Sequence, residues 1–242
     1  MNKRITIIGD LHGRLEWKEI ANNALVNFNK ILFVGDYVDS FDIKPAEILY
    51  NLKEIIQFKK DNMDDVTLLL GNHDYAYIYD HTSISGFMWQ IWQEYKKLFK
   101  DNIELFDIAW GYRNPKTQKY TLASHAGLTY RYWMETIAPK FNRTDDTLEE
   151  IGPNDLEIHE VLNLLKGDII IWKVGSMRGG GGTPGPLWAD YLELLDDPYP
   201  DINQIVGHTA AGTVSVDQFG DYFIAKVDGY YNKKLAHLQL NI

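Results

Sequence analysis

The chain is 242 residues long, 45% hydrophobic and 24% charged, an ordinary globular composition with material for one large core or two small ones. Its formal net charge of -10 and the lack of a basic stripe exclude a duplex nucleic acid gripped by its backbone, and no run approaches the roughly 18 apolar residues a membrane span needs. The absence of cysteine excludes a disulfide framework and thiolate chemistry and fits a reducing, cytoplasmic setting.

Met1 to Arg4 leads into Ile5-Thr6-Ile7-Ile8, too short for the apolar core of a secretory signal. It reads as a strand that runs into Gly9-Asp10-Leu11-His12-Gly13. A helical period follows from Leu15 to Val26. Ile31 to Val34 is a second strand, ending in Gly35-Asp36-Tyr37-Val38-Asp39. Pro45 opens a helix to about Lys60, with Ile48, Leu52, Ile55 and Ile56 spaced for a buried face. Val66 to Leu70 is a third strand, ending in Gly71-Asn72-His73-Asp74. Strand–helix–strand order at these lengths predicts parallel βαβ units, with ligands at the carboxyl edge of the sheet.

Tyr75 to Lys100 is aromatic-rich and reads as mostly helical, packed on the sheet. Ile103 to Trp110 and Lys119 to Ala123 read as strands joined by the Asn114-Pro115-Lys116 turn. The second of these ends in Ser124-His125-Ala126-Gly127. From 128 to 187 the pattern is least regular: Arg131 to Ile137 and Leu156 to Leu165 look helical, with Pro153 near the start of the second. The glycine run Gly179 to Gly182, beside Arg178, is either a flexible connector or a loop whose backbone N–H groups approach an anion. Leu187 to Leu195 reads as a short helix, and Gln204 to Val206, Val214 to Val216, Tyr222 to Val227 and Leu235 to Leu240 read as an antiparallel meander, the first of them ending in Gly207-His208-Thr209. A parallel half followed by an antiparallel half predicts an α/β fold of two mixed sheets packed as a sandwich, flanked by helices. One domain over 1–242 is expected, because a cut anywhere between Asp10 and His208 would divide the residues considered next.

One move recurs at five places: an apolar strand, a small residue, then a side chain of metal-ligand type. Asp10, His12, Asp36, Asn72, His125 and His208 together offer only oxygen and imidazole nitrogen. That donor set suits two divalent ions, manganese, iron, zinc or nickel, with magnesium possible given more water ligands; it does not suit Cu(I) or an iron–sulfur cluster.

Taken in order, these five blocks resemble those of the calcineurin-like metallophosphoesterases, nearest the serine/threonine phosphoprotein phosphatase branch and its bacterial and phage-type members. The resemblance implies a two-sheet α/β sandwich and a hydrolase of phosphate monoesters that uses two divalent ions, manganese first among them. It implies that Asp10 and His12 bind one ion, that Asn72, His125 and His208 bind the other, and that Asp36 bridges both. It implies that a hydroxide between the ions attacks phosphorus, that His73 is the general acid for the leaving alkoxide, and that Asp39 orients His73.

One departure matters for the substrate. The phosphatase branch usually carries an arginine, a phosphate clamp, where this chain has Ser40. An acidic chain that binds phosphate needs local positive charge, and Arg178 and Arg131 are the candidates to supply it. A nucleotide or dinucleoside polyphosphate hydrolase is the alternative enzyme, with Trp89, Tyr130, Tyr132 and Trp133 as bases' stacking partners. A metal-bound scaffold without catalysis is the alternative outside enzymes. A phosphoprotein, phosphoester or nucleotide is the expected partner.

Overall fold

Three strand–helix alternations build the first half of the chain in this computed structural model, which describes residues 4–141 and 156–242. They are β1 (Arg4–Ile8), α1 (Trp17–Val26), β2 (Lys30–Phe33), α2 (Pro45–Asp61), β3 (Val66–Leu69) and α3 (Asn72–Tyr79). After α4 (Trp92–Lys100), β4 (Phe106–Asp107) adds to β3, so that β1 to β4 are all parallel. Pro153 and Met1 to Lys3 lie outside the described residues.

The second sheet comes from β5 (Ala109–Arg113), β6 (Tyr120–Ser124), β7 (Ile202–Val206), β8 (Ser215–Phe219) and β9 (Tyr222–Lys226), in the order β5-β6-β7-β9-β8. Between β6 and β7 run the short helices α5 (Tyr130–Tyr132), α6 (Ala138–Phe141), α7 (Ile158–Leu164) and α8 (Tyr191–Asp196). The chain ends in the two-stranded β10 (Tyr230–Tyr231) and β11 (Lys234–Leu235), then β12 (His237–Asn241), which returns to the first sheet antiparallel to β1.

The inner strands β1 to β3 of the first sheet are mostly apolar on both faces because both faces are covered. Alternate residues of β2 divide between them. Leu32 and Val34 join Ile5, Ile7 and Leu69 against Ala123, Ile205 and Ala225 of the other sheet. Ile31 and Phe33 face the helix layer with Trp17, Ile48 and Leu52. On the outer face of the second sheet, Leu194 of α8 packs on Val206 and Ile224. Each fully buried aliphatic side chain in these layers contributes about 1.5–3 kcal/mol. The result is the expected sandwich, helix layer, sheet, sheet, helix layer. No helix among the described residues is long and apolar enough to cross a membrane.

Three sequence readings need correction. The single strand expected over Ile103 to Trp110 is a helical turn at Ile103–Leu105 followed by two short strands in different sheets, with Ile108 at the crossing. Neither glycine nor proline falls between Ile103 and Trp110, so nothing local signals a change of sheet. The expected antiparallel meander is mostly something else: β7 is parallel to both β6 and β9, β8 and β9 form a hairpin, β10 and β11 form a separate one, and the last strand leaves for the first sheet. The helix expected through Tyr75 to Lys100 breaks between Tyr79 and Trp89, where Asp80 closes α3 at φ 63°.

Helix α7 docks on β5 and β6 through a half-buried polar contact. The Tyr120 hydroxyl lies 2.8 Å from His159 Nδ1 and accepts from the His159 backbone N–H at 3.3 Å. Gly111 has no Cβ, which would overlap both side chains. Burial lowers the His159 pKa, with Glu160 and Glu157 opposing. The folded protein therefore keeps this imidazole neutral at pH values where the unfolded chain, titrating near about 6.5, takes up a proton. Stability from this site is present above that value and is lost as pH falls toward the lowered folded one. The drop in urea midpoint between about pH 7.5 and about pH 5.5 is expected to be smaller in His159→Gln than in the wild type. An equal drop would show that His159 does not govern it.

Candidate metal centre

Side chains from five chain segments meet at the carboxyl ends of β1, β2, β3, β6 and β7. Two groups form there: Asp10, His12 and Asp36, and Asp36, His125 and His208, each with ligand atoms within 4.8 Å of one another. Asp36 belongs to both. Asn72 joins the second group through Oδ1, which lies 2.9 Å from His125 Nε2 and 3.0 Å from His208 Nδ1.

The backbone is bent to bring them in. His12, Asp36, Asp39 and His208 all have positive φ, between 45° and 63°, a region that side chains avoid unless the surroundings enforce it. Two glycines make the close approach possible. A Cβ on Gly35, at φ 107°, would overlap the backbone nitrogen of Gly71, and one on Gly207 would overlap Asp10 Oδ1.

The hydrogen bonds fix which ring nitrogens are available. His12 Nδ1 lies 2.9 Å from the Asp39 carbonyl, and His125 Nδ1 lies 2.9 Å from the Val34 carbonyl. A carbonyl only accepts, so both Nδ1 atoms carry hydrogen and both Nε2 atoms turn inward. His125 Nε2 then faces Asn72 Oδ1 at 2.9 Å and Asp36 Oδ2 at 3.3 Å. With a neutral imidazole these are lone pairs facing lone pairs. A proton or a cation must lie among them. Burial alone would lower His125, but the carboxylates of Asp36 and Asp10 outweigh it and push the imidazole up to about 10.

Other atoms here are short of partners in the same way. Asp10 Oδ1 and His208 Nε2 are buried without any hydrogen bond. Burial and the neighbouring His125 hold His208 well below its ordinary value, which leaves a neutral imidazole. Burial and the nearby Asp228 carboxylate push Asp10 up. Orphaned acceptors, a shared carboxylate and inward-facing imidazole nitrogens fit divalent cations in both groups.

His73 sits beside these groups rather than in them. Its Nδ1 lies 2.7 Å from Asp39 Oδ2, and its backbone N–H, free at the first turn of α3, donates to Asp36 Oδ1 at 2.9 Å. Burial pulls His73 down, but Asp36 and Asp39 more than compensate and hold it above the ordinary histidine value. The Tyr77 hydroxyl donates to the other oxygen of Asp39. His73 and Asp39 line a cleft of about 360 Å³ together with His12, Arg14, Ser40 and Phe41.

Of the two arginines considered for phosphate binding, Arg178 borders the metal groups and Arg131 does not. Arg178 donates to Thr209 Oγ1 at 2.9 Å and pairs with Asp190 at 2.9 Å, beside His208. Arg131 lines a separate cleft of about 440 Å³ with Glu135, Glu193 and Asp197, to which no residue of the metal groups contributes. Among the aromatics considered for base stacking, Tyr132 is buried with its hydroxyl on the Ile170 carbonyl, and Trp89, Tyr130 and Trp133 are not in the cleft beside His73. In the glycine run, Gly180 packs against the Val174 carbonyl and its N–H donates to Gly175, which makes a turn.

Three contributors were missed from sequence. Tyr77 looked like helix packing, and no local pattern links it to Asp39. Asp228 stands between the strand that ends at Val227 and Gly229, in a segment that resembles the family's closing strands, but its sequence position gave it no role at the centre. Arg14 directly follows the Gly9 to Gly13 block, and that adjacency was a usable signal.

Comparison with known proteins agrees with this geometry. The family model described as calcineurin-like phosphoesterase matches residues 3–227. No curated protein sequence matches. Among solved structures, a cold-active protein-tyrosine phosphatase of a psychrophilic Shewanella species superposes with a TM-score of 0.59 at 16% identity, over 100% of this chain and 76% of that one. A mutant of a cold-active protein tyrosine phosphatase superposes at 0.61 and 14% identity, over 100% and 76%. At such identities the likeness bears on the fold.

Proposed function

The chain belongs to the calcineurin-like phosphoesterase family and is a metal-dependent phosphoesterase, and from that premise we propose that it hydrolyses phosphate monoesters with His73 as general acid. The observation that carries the reading is the pair of ligand groups sharing Asp36, with buried acceptors left unpartnered beside a histidine–carboxylate pair. Asp10, His12 and Asp36 would hold one divalent ion; Asp36, Asn72, His125 and His208 would hold the other. Bound there, two cations lower the pKa of water and neutralise charge on a phosphoryl group.

The protein's own part is positional. Asp39 takes the Nδ1 hydrogen of His73, so the proton that the ring can deliver sits on Nε2. The Asp39 carboxylate on Nδ1 also favours the protonated ring, which readies Nε2 for a leaving oxygen. Tyr77 steadies Asp39 from behind. The Asn72 amide adds an oxygen without adding charge, which leaves the centre more electrophilic. Manganese is the ion to try first, as the donor set accepts it along with iron, zinc, nickel or magnesium.

One observation favours an aryl leaving group over a serine or threonine alkoxide. Phe41, 90% exposed, lines the cleft beside His73 opposite Gly86, whose missing side chain leaves the ring edge open. Phosphotyrosine is the aryl ester to test, as the superposed cold-active enzyme is a protein-tyrosine phosphatase.

The purified protein is expected to hydrolyse a chromogenic aryl phosphate with Mn2+ and to lose that turnover with chelator. It is expected to prefer a phosphotyrosyl peptide to the matching phosphoseryl peptide in kcat/KM. Turnover that survives complete metal removal would overturn the mechanism; equal rates on the two peptides would remove the aryl preference alone.

A further inference from the structure

The cleft beside His73 raises a problem of charge. A phosphate monoester is close to a dianion, the protein carries a formal net charge of -10, and Asp39 and Asp42 both line the cleft. Of the residues that line it, Arg14 alone is a lysine or arginine. Ser40 carries no charge, and its hydroxyl is taken up by Asp42 Oδ1 at 2.6 Å.

Arg14 is placed and only partly satisfied. Its guanidinium stacks on the Tyr230 ring at 4.2 Å from the centroid. Tyr230 is itself fixed by a 2.8 Å hydrogen bond from its hydroxyl to Glu16. The Arg14 backbone is held by Asn51 Nδ2 at 3.0 Å, and its side chain is 18% exposed. The one carboxylate within reach, Asp42, is at 3.6 Å and largely solvated, and Arg14 Nε is buried with no partner at all. A braced guanidinium with a buried unused donor, in the same cleft as His12 and His73, is a fork waiting for an anion.

We propose that Arg14 binds the phosphoryl group of the substrate, supplying the positive charge that Ser40 does not. The inference rests on the phosphomonoesterase reading above. The phosphoryl group must lie between the ligand His12 and the proton donor His73, and Arg14 reaches that space from the Tyr230 side. Asp42 holds the guanidinium loosely until phosphate displaces it, while the unused Nε offers a second donor for a two-point contact.

The test is calorimetric titration of inorganic phosphate into the metal-loaded protein, alongside turnover of a chromogenic aryl phosphate. Arg14→Ala is expected to raise the phosphate Kd by about tenfold to a hundredfold, as loss of a charge-assisted pair does. Arg14→Lys, which keeps the charge but not the fork, is expected to fall between. If Arg14→Ala does not fold, judged by its thermal transition, Arg14→Lys carries the test with a severalfold rise. Asp42→Asn, which removes the competing carboxylate, is expected to tighten phosphate binding. A rise of less than about threefold in folded Arg14→Ala would overturn the assignment, as would weakening in Asp42→Asn equal to that in Arg14→Ala, since Arg14 would then be a strut for the loop. A wild-type protein that neither turns over the ester nor binds phosphate would instead take down the phosphomonoesterase reading, and Arg14 with it.

Discussion

Replacing His73 by asparagine is expected to lower kcat by about 10²–10⁴-fold while leaving bound metal at the wild-type level. The side chain lies in neither ligand group, and its one structural hydrogen bond to the centre comes from its backbone N–H to Asp36, which asparagine retains. What disappears is the proton on Nε2. The loss should therefore depend on the leaving group. An activated aryl oxide departs without full protonation, whereas a poorer leaving group needs the proton in the transition state. The defect in His73→Asn should be smallest with a strongly activated aryl phosphate and should grow as the leaving group becomes more basic. Asp39→Asn should share the trend at reduced size, because Asp39 acts through His73 by holding Nδ1 at 2.7 Å. A uniform loss across leaving groups would remove the acid role. Loss of metal from His73→Asn would mean that the imidazole is a ligand.

The centre was more legible in the sequence than the sheets that carry it, for a physical reason. Each ligand stands where an apolar run stops at a small residue, and those stops are local. A Cβ at Gly35 would meet the Gly71 backbone and one at Gly207 the Asp10 carboxylate, so sequence punctuation and site geometry share one cause. Strand pairing has no such local signature. Ile103 to Trp110 reads as one strand because nothing at Ile108 marks the change of sheet between Phe106–Asp107 and Ala109–Arg113. Likewise β12 reads as the end of a meander, although its alternation of exposed and half-buried residues fits an edge strand anywhere. The residues that support the ligands were harder still. Tyr77 and Asp39 are 38 positions apart, and their contact exists only once α3 is packed.

Asp74 shows how far the centre depends on such support, and Asp74→Ala is expected to cost about 3–5 kcal/mol of stability. This carboxylate is fully buried and accepts three backbone N–H groups: Gly71 at 2.9 Å, Asp36 at 2.8 Å and Tyr37 at 2.9 Å. Burial and the charge of Asp36 push Asp74 up to about 8, against the pull of those donors. Truncation would leave three buried donors without acceptors, at about 1–3 kcal/mol for each group. One of those donors belongs to Asp36, held at φ 51° and shared by both ligand groups. The loop that Asp74 ties down therefore carries the residue on which both cations would depend. For a chain of this size the melting temperature should fall by roughly 6–20 °C, measured in chelator so that metal loss does not contribute. Metal affinity should fall as well. Asp74→Asn should be nearly as damaging, because its amide turns an N–H toward N–H groups where the carboxylate had an oxygen. A melting temperature within about 2 °C of wild type for Asp74→Ala would show that the turn at Asp36 holds without it.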